Sequence, residues 1–480
     1  MVPELCSLTG IPDNFDEQRR KEISSKTILH PNEKSKEIQS FIDILNKTEE
    51  IKTLNEIGIN INKNLNKLQC KHIGSPLLEL GNGHHVEKGK EARFNLFNQP
   101  LFSGKHDINV HILHTKNADV KSMRDTFEKT SANLKVRCKV TLQECVFYKD
   151  RDVLTAMEKA FKSNNEMNIM MVVIPGHLKT SYPKFKQHTL SYNSNPEMIT
   201  QFLLEGTLRK KGVQSIHTKL LLQVCSKRGN ILWVPSYQED LDNALDKVAL
   251  LGIDTSTSKG KTIMAACCTI NSTFSLLSSA TTQVDDNSEK FSKMVQITLK
   301  CIEDYKQRNK VPPKELIVFV NAVPADQVKM LQDNYAEVLK DKLPRAYERD
   351  VRIVVVMVNL RNTERFFTVG HEARNVPPGT LINSGVVSND YDFFIVSQDS
   401  TRGSVVPNHY KVIFSDNDSK LEEGHLQELI HSQCFNYVNW SGSIKIPAIL
   451  QYAKKCARFN AEVMGGVEVN KNLQTRPYFI

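Results

Sequence analysis

The sequence predicts an α/β protein of two successive units, a doubly wound, Rossmann-like unit followed by one built on a mixed sheet. Three observations carry this expectation. Ile169-Met170-Met171-Val172-Val173-Ile174 and Leu316-Ile317-Val318-Phe319-Val320 are near-continuous apolar runs, the pattern of strands covered on both faces. Between such runs lie stretches at helical spacing, as in Phe291, Met294, Val295, Leu299, Ile302 and Tyr305. Finally, Leu250-Leu251-Gly252-Ile253-Asp254 is answered after a turn by Ile263-Met264-Ala265-Ala266-Cys267-Cys268, a buried strand and its hairpin partner.

A chain of 480 residues is long enough for two or three domains with sizeable cores. Its 40% apolar and 24% charged residues are ordinary for a soluble globular protein. The net charge of +9 permits a polyanionic partner without demanding one. Ten cysteines include no CxxC pair, which argues against a zinc site or disulfide framework and fits a reducing compartment. The first residues lack a basic segment followed by an apolar one, and runs such as Ile353 to Val358 are too short to span a bilayer. The expectation is a soluble intracellular protein with no membrane partner.

Residues 1–105 are rich in Lys, Asn and Glu, with weak helical periodicity around Ile38, Phe41, Ile42 and Leu45. They read as a connecting segment without a core of its own. Gly81-Asn82-Gly83-His84-His85 marks a turn, and its His pair has no third ligand at metal spacing. From 106 to 247 the strands Ile108–His114 and Val136–Phe147 alternate with the helices Asp119–Asn133 and Asp152–Ser163. Pro175-Gly176 ends the apolar run at 169–174, and Tyr182 and Lys186 follow one helical turn apart, on one face. Gln201 stands on the next strand, and Lys219 in the first turns of a helix over Ser215–Ser226. Polar residues at strand C-termini and helix N-termini stand where doubly wound sheets hold phosphates. Any solvated helix, however, offers a lysine.

From 248 to 480 the hairpin is followed by a strand over Phe274–Ala280 and a helix start at Asp285-Asp286-Asn287-Ser288, with Glu289 in its first turn. A buried strand ends at Asn321, and a helix over Ala325–Lys340 and strands over Val351–Val358 and Phe393–Ser397 come next. Two terminal helices run near 425–438 and 448–463, the second carrying Lys454. Three antiparallel strands, a helix and a buried strand are the order of a ribonuclease H-like domain, which gathers carboxylates around two divalent metals. Alone, Asp254 is as readily a turn initiator as a metal ligand.

Several dispersed motifs now point one way. Tyr391-Asp392-Phe393-Phe394-Ile395-Val396-Ser397-Gln398, Asn439-Trp440-Ser441-Gly442-Ser443-Ile444-Lys445-Ile446-Pro447-Ala448 and the ending Arg476-Pro477-Tyr478-Phe479-Ile480 resemble late segments of Argonaute-superfamily proteins of the Piwi clade. Met1-Val2-Pro3-Glu4-Leu5-Cys6-Ser7-Leu8-Thr9-Gly10 resembles the segment just after that clade's PAZ domain. The resemblance runs almost end to end. It implies a linker over 1–105, a MID domain over 106–247 and a ribonuclease H-like PIWI domain over 248–480, without the N-terminal and PAZ domains; the chain is either naturally short or a partial gene product. It further implies that Tyr182, Lys186, Gln201 and Lys219 hold the 5′-phosphate of a guide RNA. A Mg²⁺ ion can bridge that phosphate in this clade, held by Gln201 and the C-terminal carboxylate of Ile480.

The departures concern cutting. Active members hold two metals with an Asp, a Glu, a second Asp, and a His or Asp. Asp254 and Glu289 match the first two, but the third position is Asn321 and the fourth Lys454. An amide brings no charge to offset the ions, and an ammonium has no lone pair to donate. The expectation is a degenerate tetrad without catalytic metal, in which Lys454 pairs with Asp254. The function expected is small-guide-RNA binding (the piRNA class) in RNA-directed silencing, with complementary target RNA and silencing effector proteins as partners. A monomer in the cytoplasm, or alternatively the nucleus, is expected. An active RNA-guided endoribonuclease and a truncated decoy or assembly factor are the alternatives.

Overall fold

The structure is a computed structural model that describes residues 16–86, 92–96, 99–103, 107–163, 166–192, 199–388, 391–400, 402–416 and 421–480. The segment Met1–Gly10 lies outside the described residues. Helices α1 (Glu17–Thr27), α2 (Pro31–Leu45) and α3 (Glu50–Glu56) come first. The apolar stripe of α2 is too thin for a core, and neither α2 nor α3 buries a residue. Strands β1 (Lys71–His72), β2 (Leu77–Glu79) and β3 (His85–Val86) follow, flanking a turn at Gly81–Gly83. Leu78, Leu80, Phe94 and Leu101 then bury themselves in the core of the next unit.

That unit alternates β4 (Ile108–His114), α4 (Lys121–Asn133), β5 (Cys138–Glu144), α5 (Asp150–Ser163), β6 (Ile169–Ile174), α6 (Tyr182–Tyr192), β7 (Ile199–Leu204) and α7 (Val213–Arg228). The four strands pair in parallel in the order β5-β4-β6-β7. All six residues of β6 are buried, because each face has its own helical cover. Met171 and Val173 pack with Phe127 of α4 and Leu221 of α7, while Met170 and Val172 pack with Met157 of α5 and Phe185 of α6. Strand β8 (Val234–Ser236) joins β2 and β3 in a small sheet, and α8 (Glu239–Ala244) leads on.

The second unit opens with β9 (Val248–Ser258), β10 (Lys261–Thr269) and β11 (Leu277–Val284). β11 starts three residues later than expected. Phe274 adopts φ +54° in a turn whose Asn271 side chain accepts the amides of Ser275 and Leu276 at 3.0 and 2.9 Å. Helix α9 (Lys290–Asn309) and strand β12 (Glu315–Asn321) precede α10 (Ala325–Leu331), which runs through one π-turn into α11 (Glu337–Tyr347). Strands β13 (Arg352–Asn359), β14 (Thr380–Ile382), β15 (Asp392–Val396) and β16 (Asn408–Ser415) and helices α12 (Glu423–Gln433) and α13 (Ala448–Phe459) complete the chain. The nine-stranded sheet has the order β1-β14-β15-β16-β13-β12-β9-β10-β11, with β12 parallel to both β9 and β13.

The two faces of that sheet decide where its polar residues look. Ala249, Leu251 and Ile253 face α9, whereas Val248 and Leu250 face α13. Asp254 continues the α13 side by strand alternation. Gly252 lies on the same side, where a Cβ would stand 2.6 Å from the Ile449 carbonyl oxygen and 2.7 Å from Leu450 Cα. Glycine is therefore what lets the start of α13 press onto β9, one turn before Lys454.

Candidate functional site

Two polar sites emerge, one on each unit. The first lies where α6, β7 and α7 meet the C-terminal tail. Lys186 of α6 is 3% exposed and Lys227 of α7 is 1% exposed. Both border a narrow cavity together with Thr189, Thr200, Arg476 and Tyr478. Lys186 Nζ donates to the Thr200 carbonyl at 2.9 Å and its hydroxyl at 3.3 Å. Lys227 Nζ donates to Gln201 Oε1 at 2.5 Å. Burial holds the Lys186 ammonium down to about 7. The Lys227 ammonium is also well below its usual range, through burial first and the neighbouring Lys186 second.

The tail closes this cavity from the other unit. Gln187 Nε2 donates to the Val463 carbonyl at 2.8 Å, and the Asn470 amide donates to the Leu190 carbonyl at 3.1 Å. Arg476 Nη1 reaches the last turn of α7, donating to the Arg228 carbonyl at 3.1 Å and that of Lys227 at 3.4 Å. Three cationic side chains thus converge, and none of the described residues lining the cavity is a carboxylate. Buried ammoniums without an anion are costly, so this constellation calls for an anionic ligand.

The structure brings together only part of the residue set expected at this site. Lys186 is there, with Gln201 beside it as the acceptor of Lys227. Tyr182 stands at the mouth of the same helix, its ring edge-on to Phe202 with centroids 5.8 Å apart. Lys219 is not there. It lies eight residues before Lys227 on α7, about 12 Å along the axis, and its ammonium sits 5.0 Å over the Trp440 ring. Lys227 and Arg476 take the place given to Lys219. Lys227 was hidden in Ser226-Lys227-Arg228-Gly229, which reads as a basic helix end before a glycine cap. Ile480 packs against the core around α13 and does not line the cavity; Tyr478 does.

The expected Mg²⁺ between Gln201 and Ile480 does not fit this arrangement. The one amide oxygen is already taken by an ammonium, and Mg²⁺ wants oxygen donors, not two lysines beside it.

The second site lies in the nine-stranded sheet. Asp254 on β9 and Asn321 at the end of β12 share the α13 face, because β12 and β9 run in register with Val320 beside Ile253. Asn321 Nδ2 donates to Asp254 Oδ1 at 2.6 Å, and the Thr255 amide donates to the same oxygen at 2.7 Å. Burial raises the Asp254 carboxyl above the usual range, opposed by those two hydrogen bonds and by the charge of Lys454. Lys454 was expected to pair with Asp254. Lys454 is exposed on α13 and acts on the carboxylate only through its charge; the amide of Asn321 is the hydrogen-bonding partner instead.

Glu289 is likewise not brought in. It precedes α9, which covers the opposite face of the sheet, and it is exposed, 3.7 Å from Lys293. Among the described residues no group of three His, Cys, Asp or Glu is placed to hold a metal ion. One buried carboxylate, one amide and a nearby ammonium do not fit a pair of divalent ions, because most of the required negative charge is missing.

A Piwi domain model matches residues 169–464, which include the sheet site and Lys186, Gln201 and Lys227 of the first site. The chain belongs to the Piwi domain family. Piwi-like protein 1 of Danio rerio is 27% identical over 500 residues, covering 100% of this chain and 56% of its own length. The chain thus spans about half the length of the curated relatives it matches. The crystal structure of Drosophila Piwi superposes with a TM-score of 0.81 at 20% identity, covering 96% of this chain and 64% of that one. Kluyveromyces polysporus Argonaute, solved with a guide RNA, gives 0.77 at 17% identity, covering 98% of this chain and 63% of that one. The nine-stranded unit therefore has the ribonuclease H-like fold of Piwi and Argonaute proteins.

Proposed function

We propose that this chain grips the 5′-phosphate of a small guide RNA between Lys186, Lys227 and Arg476, and directs silencing without cutting the target. The observation that carries this reading is the cavity itself, in which two buried lysines and an arginine converge with no lining carboxylate. A phosphate dianion satisfies those cations and restores the charge that burial takes from the lysines. Tyr182 opens α6 one turn before Lys186, and in this reading its ring stacks on the first base. Membership of a family that includes an Argonaute solved with a guide RNA supports the same ligand class.

The sheet site supports silencing by recruitment of effector proteins. Asp254 Oδ1 already accepts hydrogen bonds from Asn321 and the Thr255 amide, so on this reading these residues hold the sheet and not a pair of metal ions. RNAs that copurify with the tagged chain should be short, 5′-phosphorylated strands, and a matched target supplied with Mg²⁺ should stay intact. Copurifying RNA with 5′-hydroxyl ends would refute the pocket assignment. Guide-directed cleavage would refute the silent site.

A further inference from the structure

Lys219, absent from the phosphate pocket, borders a groove of about 730 Å³ between α4, α7 and the segments at 94–96 and 438–441. We propose that this groove docks an acidic peptide segment of a partner protein, anchored by one leucine or phenylalanine side chain. The docking is independent of the guide end, since none of Lys186, Lys227 and Arg476 lines it.

The floor is apolar, made by Phe94, Leu96, Leu222, Val438 and Trp440. The walls are neutral hydrogen-bonding stripes, Thr126 and Thr130 on α4 and Ser215 and Thr218 on α7, suited to a peptide backbone. The α4 stripe runs from Ser122 to Asn133, about 16 Å, the length of about five extended residues. Charge selects the occupant. The one lining carboxylate among the described residues, Asp125, is taken up by Arg124 at 3.0 Å. Lys129 and Lys219 line the groove and make no ion pair with any described residue. Lys219 Nζ and Arg93 Cζ stand 5.0 and 5.2 Å from the Trp440 ring centroid, so cations already occupy the aromatic surface on which a base would stack. An apolar floor, neutral walls and two uncompensated ammoniums complement an apolar anchor flanked by Asp or Glu.

The test is a peptide array probed with the full chain, with leucine or phenylalanine anchors flanked by Asp/Glu, by Ser or by Lys. Acidic flanks should bind at least tenfold better than serine flanks. Lys129→Glu with Lys219→Glu should remove that preference and favour lysine flanks, and Thr126→Trp, which fills the groove, should abolish binding of every anchored peptide. Lys186→Ala with Lys227→Ala should leave peptide binding unchanged, so failure of the guide-end reading would be seen separately. The proposal is overturned if no anchored peptide binds, if flanking charge is immaterial, or if 5′-hydroxyl RNA displaces the peptide, which would make the groove a nucleic-acid surface.

Discussion

The two polar sites differ in how their charge is met. At the sheet centre, Asp254 has what a buried carboxylate needs from its own fold, an amide donor on the neighbouring strand and a backbone N–H. In the pocket under the tail, Lys186 and Lys227 have oxygen acceptors but no anion, and burial drives both toward the neutral form. In one, the carboxylate oxygen Asp254 Oδ1 is paired within the fold, although Asn321 Oδ1 beside it is buried without a partner; in the other, two buried lysines face no anion. Surplus buried charge is the mark of a ligand; satisfied buried charge is the mark of structure.

The largest expected effect would break this contrast at the pocket. Lys186→Ala with Lys227→Ala should weaken 5′-phosphorylated RNA by a hundredfold or more, at about 1.5–3 kcal/mol for each charge-assisted contact. Affinity for 5′-hydroxyl RNA, measured alongside, should change by less than about threefold, because no charge-assisted contact is lost. Equal losses would show a general electrostatic surface. A second double change would reopen the sheet site. Asn321→Asp with Lys454→His places a carboxylate where Asn321 now donates to Asp254 at 2.6 Å, and should destabilise the metal-free chain by about 1–3 kcal/mol. Mg²⁺ should recover that loss in thermal melts of the variant and leave the parent unchanged. Mg²⁺ stabilisation of the parent would show that the site is not closed by its own residues.

Acid–base linkage sharpens the contrast further. The folded Lys186 pKa of about 7 lies below the ordinary lysine value of 10.5. The unfolded chain therefore binds more protons between these values, and the ligand-free protein should gain stability as pH rises from about 7 to 10.5. Lys227 acts in the same direction. Chemical denaturation across that range, with the double alanine variant as reference, reads the difference. Asp254 has the opposite sign: its raised pKa costs stability at neutral pH, a cost that is lost as pH falls through the folded value toward the lower, unfolded one. The smallest effect follows. Asp254→Asn keeps an oxygen for Asn321 and Thr255, and should alter stability at neutral pH by less than about 1 kcal/mol. A loss of several kcal/mol would mean that the carboxylate charge is needed after all.

Much of this was legible in the sequence, for identifiable reasons. Apolar runs gave β6, β9 and β12 and put Asp254 and Asn321 on strands, while the resemblance supplied the pairing of the two in one site. Spacing placed Lys186 on the Tyr182 face of one helix, and its role was what the Piwi-clade resemblance implied. Lys227 and Arg476 were missed because their roles depend on how the tail folds back over α7, a contact between residues 248 apart that local spacing does not encode. Lys219 was misplaced for the complementary reason: it is on the correct helix, but two turns away. The Glu289 and Lys454 expectations failed on orientation, one residue preceding the helix on the far face and the other pointing to solvent. Start of β11 was set by a left-handed Phe274, which its side chain gives no reason to expect.

The most direct test of the pocket is a proton count on binding. Calorimetric titration of the chain with 5′-phosphorylated RNA at pH 8, in buffers of differing ionisation heat, reports protons taken up per complex. With its pKa held near 7, the Lys186 amine is largely neutral there when free and must be charged against the phosphate, so about one proton should be taken up, with Lys227 adding in the same direction. Uptake should disappear with 5′-hydroxyl RNA and in the Lys186→Ala, Lys227→Ala variant. Tight binding of 5′-phosphorylated RNA with no proton uptake, or the same uptake in that variant, would contradict the account.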